Sequence, residues 1–539
     1  MLYTYETMKK LSLIIMFVMM QVVGSYAQLT TVSQSPLFKE PVSGYGRILH
    51  MKNGNTVFLQ ITSRDGIYVD IYDEENKPKA QSHKSANFGT LLGSCVNAIF
   101  ESNNDVVVFI SEIESRQPVL YRLVIDGITG YIKRDEKLVM TNRYAYFAQP
   151  FITQYEPVTS FFVRRDPNSE NYALVILHNN DRSVSGNLEV VWYAGNHKEI
   201  SRAYYANRDT RYKNINYLDM AVLGNEKVCL FAHIYNQTEV GDKKGQLIMA
   251  SLTKTSDTLE INKLNIGVKR VIDSGLVKFN PVTKKLLFIG YAHAEAGDEE
   301  KYAGIMGFVD PSRQTPDQEI NIFPAKANEK TNAIAGRNFT GMPQDIFLRS
   351  DGGFSIVYEE LTRKQVKPLN SASYVYNTKD WLAVASFDVN GRPEYTCVIP
   401  NHAELRNWEI AAFNTERVAH SAQPLIKGEQ YRSYACFQYK DRVYVTLNNT
   451  EDNMKKSSKG KGTSFHSVRD TDGYYYICDA SNELPDCKPL FGLNVNKDDD
   501  GHPLVMGISD YDSDKGRFIT LKMDSNTEHK GVRVVWLQP

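Results

Sequence analysis

The chain has 539 residues, of which 42% are hydrophobic and 23% are charged, and its formal net charge is -1 at pH 7. So small a net charge produces no overall field that would attract nucleic acid or an anionic membrane surface, and neither partner is predicted. The mean hydropathy of -0.39 is ordinary for a soluble protein.

The N-terminus has the pattern of a cleavable signal peptide. Lys9 and Lys10 precede the apolar run LSLIIMFVMMQVV, and Ser25-Tyr26-Ala27 follows it with small residues before Gln28. The run is too short to be a comfortable membrane anchor, and a cleavage site follows it. We predict a signal peptide over 1–27, a single domain over 28–539 without a membrane span, and export to the periplasm or the cell exterior. A retained membrane helix is the alternative.

From about Gly46 onward the sequence repeats a unit of an apolar strand, a tight polar turn, a second strand, a variable loop and a third strand. Asn53-Gly54 and Asp351-Gly352-Gly353 provide the turn in two of these units, and such residues tolerate the positive φ angles of tight hairpins. A period of roughly 50 to 65 residues built from strands is typical of a β-propeller.

Eight second strands are predicted from this pattern. They end near Gln60, Ser111, His178, His233, His293, Glu359, Asn448 and Asp510. Alternation of apolar and polar residues, with many Val, Ile, Tyr and Phe, favours strands throughout, and no helix is predicted. The fold class is therefore all-β, a propeller of seven or eight four-stranded blades. The last blade either completes its own sheet or borrows a strand from the residues after Gln28.

The loops between second and third strands are the longest connections, as in AHAEAGDEEKY and EELTRKQVKPLNSAS. In a propeller these loops project from one end, and binding residues concentrate on long loops held by a rigid scaffold. We call this end the long-loop face and predict that it meets a partner.

Two carboxylates at the ends of second strands are candidate catalytic groups. Glu112 and Glu359 could supply acid and base for glycoside cleavage, which requires carboxyl groups about 5 to 10 Å apart. Glu360 follows directly and points to the opposite face of its strand. The alternative is that these glutamates are solvated or ion-paired.

Three histidines, His178, His233 and His293, occupy corresponding positions in successive units. They could converge near the axis as a binding site, and imidazole is a common metal ligand. The alternative is that each histidine bonds within its own strand or loop, and because no ligand-spacing motif accompanies them, no metal is predicted.

Two stretches combine aromatic and polar residues. They contain Tyr144 and Tyr146 in NRYAYFAQPF, and Tyr205 and Arg208 in RAYYANRDTRYKNINY. Such residues suit stacking on sugars or anchoring a protein, and equally suit the core between neighbouring sheets.

Six cysteines are too few for a disulfide scaffold in a chain of this length. Cys478 and Cys487 flank a short connection and could pair across a hairpin. Nearby, Asp510, Asp512 and Asp514 alternate like the first oxygen ligands of a calcium loop, but the spacing of the following glycine favours a polar turn.

The segments DIFLRSDGGFSIVYEE and LLFIGYAHAEAGDEEKYAGIMGFVD are similar to repeats of uncharacterised exported propeller-like proteins common in Bacteroidota. The similarity concerns turns rather than chemistry, so it implies a fold and export without a catalytic residue.

The sequence thus predicts an exported binding or scaffold protein that engages a polysaccharide or protein partner through its long-loop face. One alternative is a polysaccharide hydrolase or lyase with an axial site of acidic residues and histidines. Another is a structural component of the envelope. The cofactor and the oligomeric state stay unassigned.

Overall fold

The structure is a computed structural model. It describes residues 29–539 except 63, 86–94, 116, 142–159, 179–187, 206–211, 213, 236–244, 268–269, 294–303, 313–314, 367–373, 407–410, 481–484, 493–500 and 526–529.

Eight antiparallel sheets form a ring, which confirms the predicted propeller and sets the number of blades at eight. In blades 1 to 7 the four main strands are hydrogen-bonded in chain order, and in blade 8 the N-terminal strand comes last. The first strands of most neighbouring blades contact one another around the axis. The first strand is therefore the inner strand of its blade.

The first four blades have the following strands. Blade 1 contains β2 (Tyr45–His50), β3 (Thr56–Thr62), β4 (Gly66–Tyr72) and β5 (Pro78–Lys84). Blade 2 contains β6 (Cys95–Ser102), β7 (Asp105–Glu114), β8 (Gln117–Asp126) and β9 (Ile132–Met140). Blade 3 contains β10 (Phe161–Arg165), β11 (Tyr172–Leu177), β12 (Leu188–Tyr193) and β13 (Glu199–Tyr204). Blade 4 contains β14 (Asn214–Leu223), β15 (Lys227–Tyr235), β16 (Gly245–Thr253) and β17 (Glu260–Leu264).

The remaining blades complete the ring. Blade 5 contains β18 (Val271–Asn280), β19 (Lys285–His293), β20 (Gly304–Asp310) and β21 (Thr315–Asn321). Blade 6 contains β22 (Met342–Leu348), β23 (Phe354–Val366), β24 (Tyr374–Phe387), β25 (Pro393–Ile399) and β26 (Ala403–Arg406), which pairs with β24. Blade 7 contains β28 (Tyr434–Tyr439), β29 (Arg442–Asn449), β30 (Asp472–Cys478) and β31 (Lys488–Pro489). Blade 8 contains β32 (Leu504–Asp512), β33 (Arg517–Ser525), β34 (Lys530–Gln538) and β1 (Thr30–Gln34), and β27 (Gln423–Pro424) pairs with β2 of blade 1.

The ring is closed by the N-terminal strand, one of the two alternatives left open by the sequence. β1 pairs antiparallel with β34, with Thr30 opposite Gln538 and Gln34 opposite Val535. Blade 8 is thus built from both ends of the described chain. Its strand order also corrects the eighth predicted second strand. Asp510 lies on β32, the inner strand, because the chain still has to supply β33 and β34 before β1 completes the sheet.

Three α-helices were not predicted: α1 (Ala325–Ala335), α2 (Asn414–His420) and α3 (Glu451–Ser457). Each lies outside the repeating strands of the blades. Of α1 only Ala327 and Thr331 are buried, so the helix has no wide apolar stripe that its sequence could reveal. The other two helices are seven residues long, too short for a periodic signal.

The turns between first and second strands are tight, as predicted. Gly54 has a φ of 88°, and its N–H donates to the carbonyl oxygen of Met51 at 2.9 Å. Asparagines also connect these turns to the next blade: Asn55 Nδ2 donates to Gly127 O at 3.0 Å, and Asn171 Nδ2 donates to Gly224 O at 2.7 Å. We call this end of the ring the short-turn face.

The cores of the propeller lie between neighbouring blades. In one cluster Trp192 of blade 3 packs with residues of blade 4 such as Leu230 and Ile248, and all three are fully buried. No helix among the described residues has the length and apolar character that a membrane crossing requires.

A shortened chain tests the closure of the ring. Starting the chain at Ser35 instead of Leu29 removes β1 and leaves β34 as an open edge, which favours aggregation. We expect a loss of stability on the order of 3 kcal/mol, because several ladder hydrogen bonds of about 0.5–1.5 kcal/mol each disappear. Denaturant unfolding of the two chains measures the difference, and equal stability would contradict closure by β1.

Candidate functional site

An open cavity of about 790 Å³ lies at the centre of the ring. The later residues of seven inner strands form its wall, one strand from each blade except blade 7. The turn residues Lys52, Asp514 and Lys515 lie at its mouth and are exposed. This axial cavity therefore opens on the short-turn face.

The floor of the axial cavity is helix α2, which contributes Glu416, Ala419 and His420. The helix belongs to residues 411–433, which connect blade 6 to blade 7 and which we call the plug segment. The helix contacts the inner strands of blades 2, 6 and 8, and the following β27 extends the inner edge of blade 1. The plug segment thus crosses the ring from the inside.

A cluster of charges fixes α2 in this position. Glu416 is 3% exposed, and its Oε2 lies 3.1 Å from Arg164 Nη2 of blade 3. Arg164 Nε is 2.7 Å from Asp219 Oδ1 of blade 4, and the second oxygen of Asp219 accepts from the Val277 N–H of blade 5 at 2.8 Å. Three blades and the plug segment are therefore joined through the pair of Arg164 and Asp219. Removing one partner of such a buried set leaves an uncompensated charge, which costs about 3–5 kcal/mol.

The two carboxylates of the cluster respond differently to their surroundings. Burial alone would raise the pKa of Glu416, but the positive charges of Arg164 and His420 hold that pKa well below its usual range. Burial raises the pKa of Asp219 despite the attraction of Arg164. Glu416 is thus the carboxylate that stays ionised at the floor of the cavity.

His420 is oriented by this carboxylate. Its Nε2 lies 2.9 Å from Glu416 Oε1, and 43% of its side chain is exposed. With Nε2 engaged, Nδ1 is the ring nitrogen that remains for contact with a ligand. A histidine held by a buried carboxylate is the arrangement found around general bases.

The opposite wall carries a second set of polar groups from blades 1 and 8. The His50 N–H donates to Asp510 Oδ2 at 2.7 Å, and Arg47 Nη2 lies 3.7 Å from Asp510 Oδ1. His50 Nε2 is 3.2 Å from Asp512 Oδ2, yet burial lowers the pKa of His50 to about 4. The imidazole is therefore neutral near pH 7 and serves as a hydrogen-bonding group.

The alternation of Asp510, Asp512 and Asp514 belongs to a turn. Asp512 Oδ1 accepts from the N–H groups of Asp514 at 2.9 Å and Lys515 at 3.0 Å. No group of three or more His, Cys, Asp or Glu residues suited to a metal ion occurs within the described part of the chain.

The structure does not bring Glu112 and Glu359 together. Glu112 lies on β7 of blade 2 and Glu359 on β23 of blade 6, which are four blades apart in a ring of eight. Both lie on second strands, behind the inner strands that surround the cavity. The predicted acid and base pair is therefore wrong, because the two carboxylates lie on opposite sides of the ring.

Each of these glutamates is buried within its own part of the ring. Glu359 is 1% exposed, its Oε1 lies 3.8 Å from Lys379 Nζ, and burial raises its pKa to about 7. Glu112 is 7% exposed, and burial together with the charge of Glu114 raises its pKa to about 7. Glu360 accepts from Arg337 Nη1 at 2.6 Å on the other side of its strand.

The predicted histidines lie on three successive blades, and the structure describes the side chains of two of them. His178 Nε2 is 2.8 Å from Glu189 Oε2 in its own blade. His233 is 1% exposed, and a Cβ on Gly245 would approach its Nε2 to 2.2 Å, so the strand beside it requires glycine. His293 ends β19, and its side chain lies outside the described residues. None of the three lines the axial cavity as the structure describes it.

The predicted aromatic binding residues are placed only in part. Tyr205 is 4% exposed and packs in the core between blades 3 and 4, so its predicted place on a binding surface is wrong. Tyr144, Tyr146 and Arg208 lie outside the described residues, as do parts of four loops of the long-loop face, in 179–187, 236–244, 294–303 and 367–373. Their roles stay predictions.

The predicted disulfide between Cys478 and Cys487 is not formed, and both residues are free cysteines. The register explains this. β31 pairs Lys488 with Tyr475, which places Cys487 beside Tyr476, two residues before Cys478. The Cys478 thiol instead interacts with that of Cys397 in blade 6.

The residues of the axial cavity gave little signal in the sequence. Arg164 and Arg165 end a short strand with the sequence FFVRR, and Glu416 and His420 lie in NTERVAH between two blades. Two features of the sequence indicate a segment inside the ring. They are a basic pair on an inner strand and a charged segment between two repeats.

Glu359 makes the stability of the fold depend on pH. Its folded-state pKa of about 7 is above the ordinary value of 4.5, so the folded form binds more protons and stability decreases as pH rises between these values. Glu359→Gln should therefore gain stability relative to the parent chain as pH rises from 4.5 to 8, by at most about 3 kcal/mol.

Denaturant unfolding at several pH values measures this difference. Glu360→Gln is the matched control, because it removes the neighbouring carboxylate that Arg337 binds and should give no such gain. A Glu359→Gln difference that is the same at every pH would contradict the prediction.

No protein-family model matches the chain, and no curated protein matches it. Among solved structures, the chain is similar to polysaccharide lyase Uly1 at 10% identity and a TM-score of 0.38, with 85% of this chain and 92% of that chain covered. It is similar to an uncharacterised protein of Listeria monocytogenes at 10% identity and a TM-score of 0.34, with 87% and 99% covered. The GH43 endo-arabinanase from Bacillus licheniformis has 12% identity and a TM-score of 0.26, with 52% and 99% covered. These scores assign no substrate or reaction to this chain, and the similarity to exported proteins of Bacteroidota stays a prediction.

Proposed function

We propose that this protein is an exported binding protein that holds a neutral carbohydrate segment in its axial cavity. The observation that supports this proposal is the cavity itself, whose volume of about 790 Å³ is in the usual range of small-ligand sites, roughly 300–1,000 Å³. A concave site of this size suits a glycan segment better than the flat contact of two folded proteins.

The charge balance of the lining favours a neutral ligand. Lys and Arg residues in the lining number six, and Asp and Glu residues number five. Several of them are already paired, such as Lys278 with Asp345 at 2.8 Å and Arg164 with Glu416 at 3.1 Å. Sugar hydroxyls donate and accept hydrogen bonds, so they can bind to both members of such pairs without adding an uncompensated charge.

Apolar surface lies between these pairs. Phe279, Phe347 and Tyr511 are partly exposed and line the cavity. Rings of this kind bury the C–H faces of sugars while neighbouring polar groups bind the hydroxyls. We place the ligand here rather than on the long-loop face, where a larger polysaccharide or protein partner remains the hypothesis from the sequence.

Filling the cavity tests the proposal. Ala419 lies on the floor and is exposed to the cavity, so Ala419→Trp adds bulk without removing a charge. A glycan array with the mature protein should identify a neutral glycan, and calorimetry should show at least roughly tenfold weaker binding of that glycan to Ala419→Trp. The matched control is Ile128→Trp, at an exposed turn of blade 2, which should bind like the parent chain.

Binding that Ala419→Trp leaves unchanged would place the glycan elsewhere, and an array without any neutral glycan would reject the proposal. In the latter case a structural role in the envelope becomes the better hypothesis.

The pair of His420 and Glu416 supports a second candidate function, cleavage of the bound glycan. His420 would transfer a proton through Nδ1, and Glu416 would stabilise its charged form. His420→Gln should keep the affinity for the glycan and lose its cleavage. His178→Gln, directly after β11 and away from the cavity, should keep both. Mass spectrometry of the incubated glycan measures the reaction. Products with added water indicate hydrolysis, products without added water indicate elimination, and an intact glycan rejects the enzyme.

A further inference from the structure

A second depression lies beside the axial cavity on the short-turn face. This outer groove has a volume of about 550 Å³ and is lined by turns of blades 3, 4 and 5, including Asn168, Asn225, Glu226 and Lys284. Leu223 and Pro311 add apolar surface to its wall. The groove thus has the same mixed polar and apolar character as the axial cavity.

The outer groove and the axial cavity adjoin each other along three strands. On β14, Val222 lines the axial cavity and Leu223 lines the groove. In blade 3, Arg165 lines the cavity and Asp166 lines the groove, and Phe279 of blade 5 lines both. At these strand ends, one residue therefore lines the axial cavity and the next residue lines the outer groove. Phe279 lies at the boundary between the two spaces.

The walls of the outer groove are fixed by hydrogen bonds between blades. The Gly224 N–H donates to Asp166 Oδ2 at 2.8 Å, and Asn171 Nδ2 donates to Asn225 Oδ1 at 2.9 Å. Lys227 Nζ donates to the carbonyl oxygen of Pro311 at 2.9 Å. Because these bonds connect three blades, the groove is formed before a ligand arrives, which reduces the entropy lost on binding.

We propose that the two spaces are parts of one extended site for a linear glycan, with one end of the glycan in the axial cavity and the following sugars in the outer groove. This inference rests on the proposed function and specifies its ligand as an unbranched chain longer than the axial cavity holds. Phe279 contacts the chain where it leaves the axis. The turns of blades 3, 4 and 5 then bind its outer sugars.

The length of the glycan and a groove variant test the inference together. The probes are neutral linear ladders of arabino-, xylo-, manno- and cello-oligosaccharides, from disaccharide to octasaccharide, titrated calorimetrically into the mature protein. In the ladder that binds, affinity should increase from the disaccharide until the chain fills the groove. Glu226 is an exposed turn residue of the groove. Glu226→Trp should weaken the binding of the octasaccharide by roughly tenfold or more, and the affinity for the disaccharide should stay within about twofold of that of the parent chain.

Glu75→Trp is the matched control. It makes the same change on an exposed turn of blade 1, outside both spaces, and should bind every member of the ladder like the parent chain. The extended site is rejected if short and long oligosaccharides bind with equal affinity, or if Glu226→Trp weakens the binding of both by the same factor. In either case the axial site remains. If no ladder binds, the extended site for a linear glycan is rejected, and the glycan array alone decides on the axial site.

Discussion

Eight sheets around one axis leave a central space that their inner strands cannot fill, and this constraint determines the rest of the structure. Propellers of this size enclose a channel, and a channel with apolar walls open at both ends would expose the core to water. Here the plug segment crosses the ring between blades 6 and 7 and places α2 inside it. The channel becomes a cavity with a floor, and the mouth is on the short-turn face.

Helix α2 of the plug segment is positioned by charge, while Phe413 before it and Leu425 after it are buried in the cores of the ring. Glu416 is the buried residue of α2, and Arg164 joins it to Asp219. A buried ion cluster is weak evidence for stability, because desolvation offsets much of the attraction. The ion cluster instead fixes a position. The planar guanidinium can contact both carboxylates in few arrangements, so α2 has one orientation and His420 faces the cavity.

The polar residues at the ends of second strands have a different role from those on inner strands. His178 pairs with Glu189 within blade 3, and Glu360 pairs with Arg337 of the segment that leads into blade 6. These pairs satisfy groups that neighbouring strands would otherwise bury unbonded. Only an inner strand faces the space that all blades share, so side chains there, such as Arg47 and Arg164, can combine with residues distant in sequence.

The sequence by itself determined the local structure: period-two alternation and turns such as Asn53-Gly54 specify strands and hairpins through contacts between near neighbours. Repetition of that unit then specified a propeller of seven or eight blades. The tertiary structure decided what depends on distant contacts. It fixed the number of blades at eight, closed the ring by pairing β1 with β34, and separated Glu112 from Glu359 by half the ring. It also placed α2 at the axis, because a seven-residue helix is stable only with tertiary contacts such as that with Arg164. Spacing along the chain reveals which strands are neighbours, but it does not reveal which side chains meet across an axis.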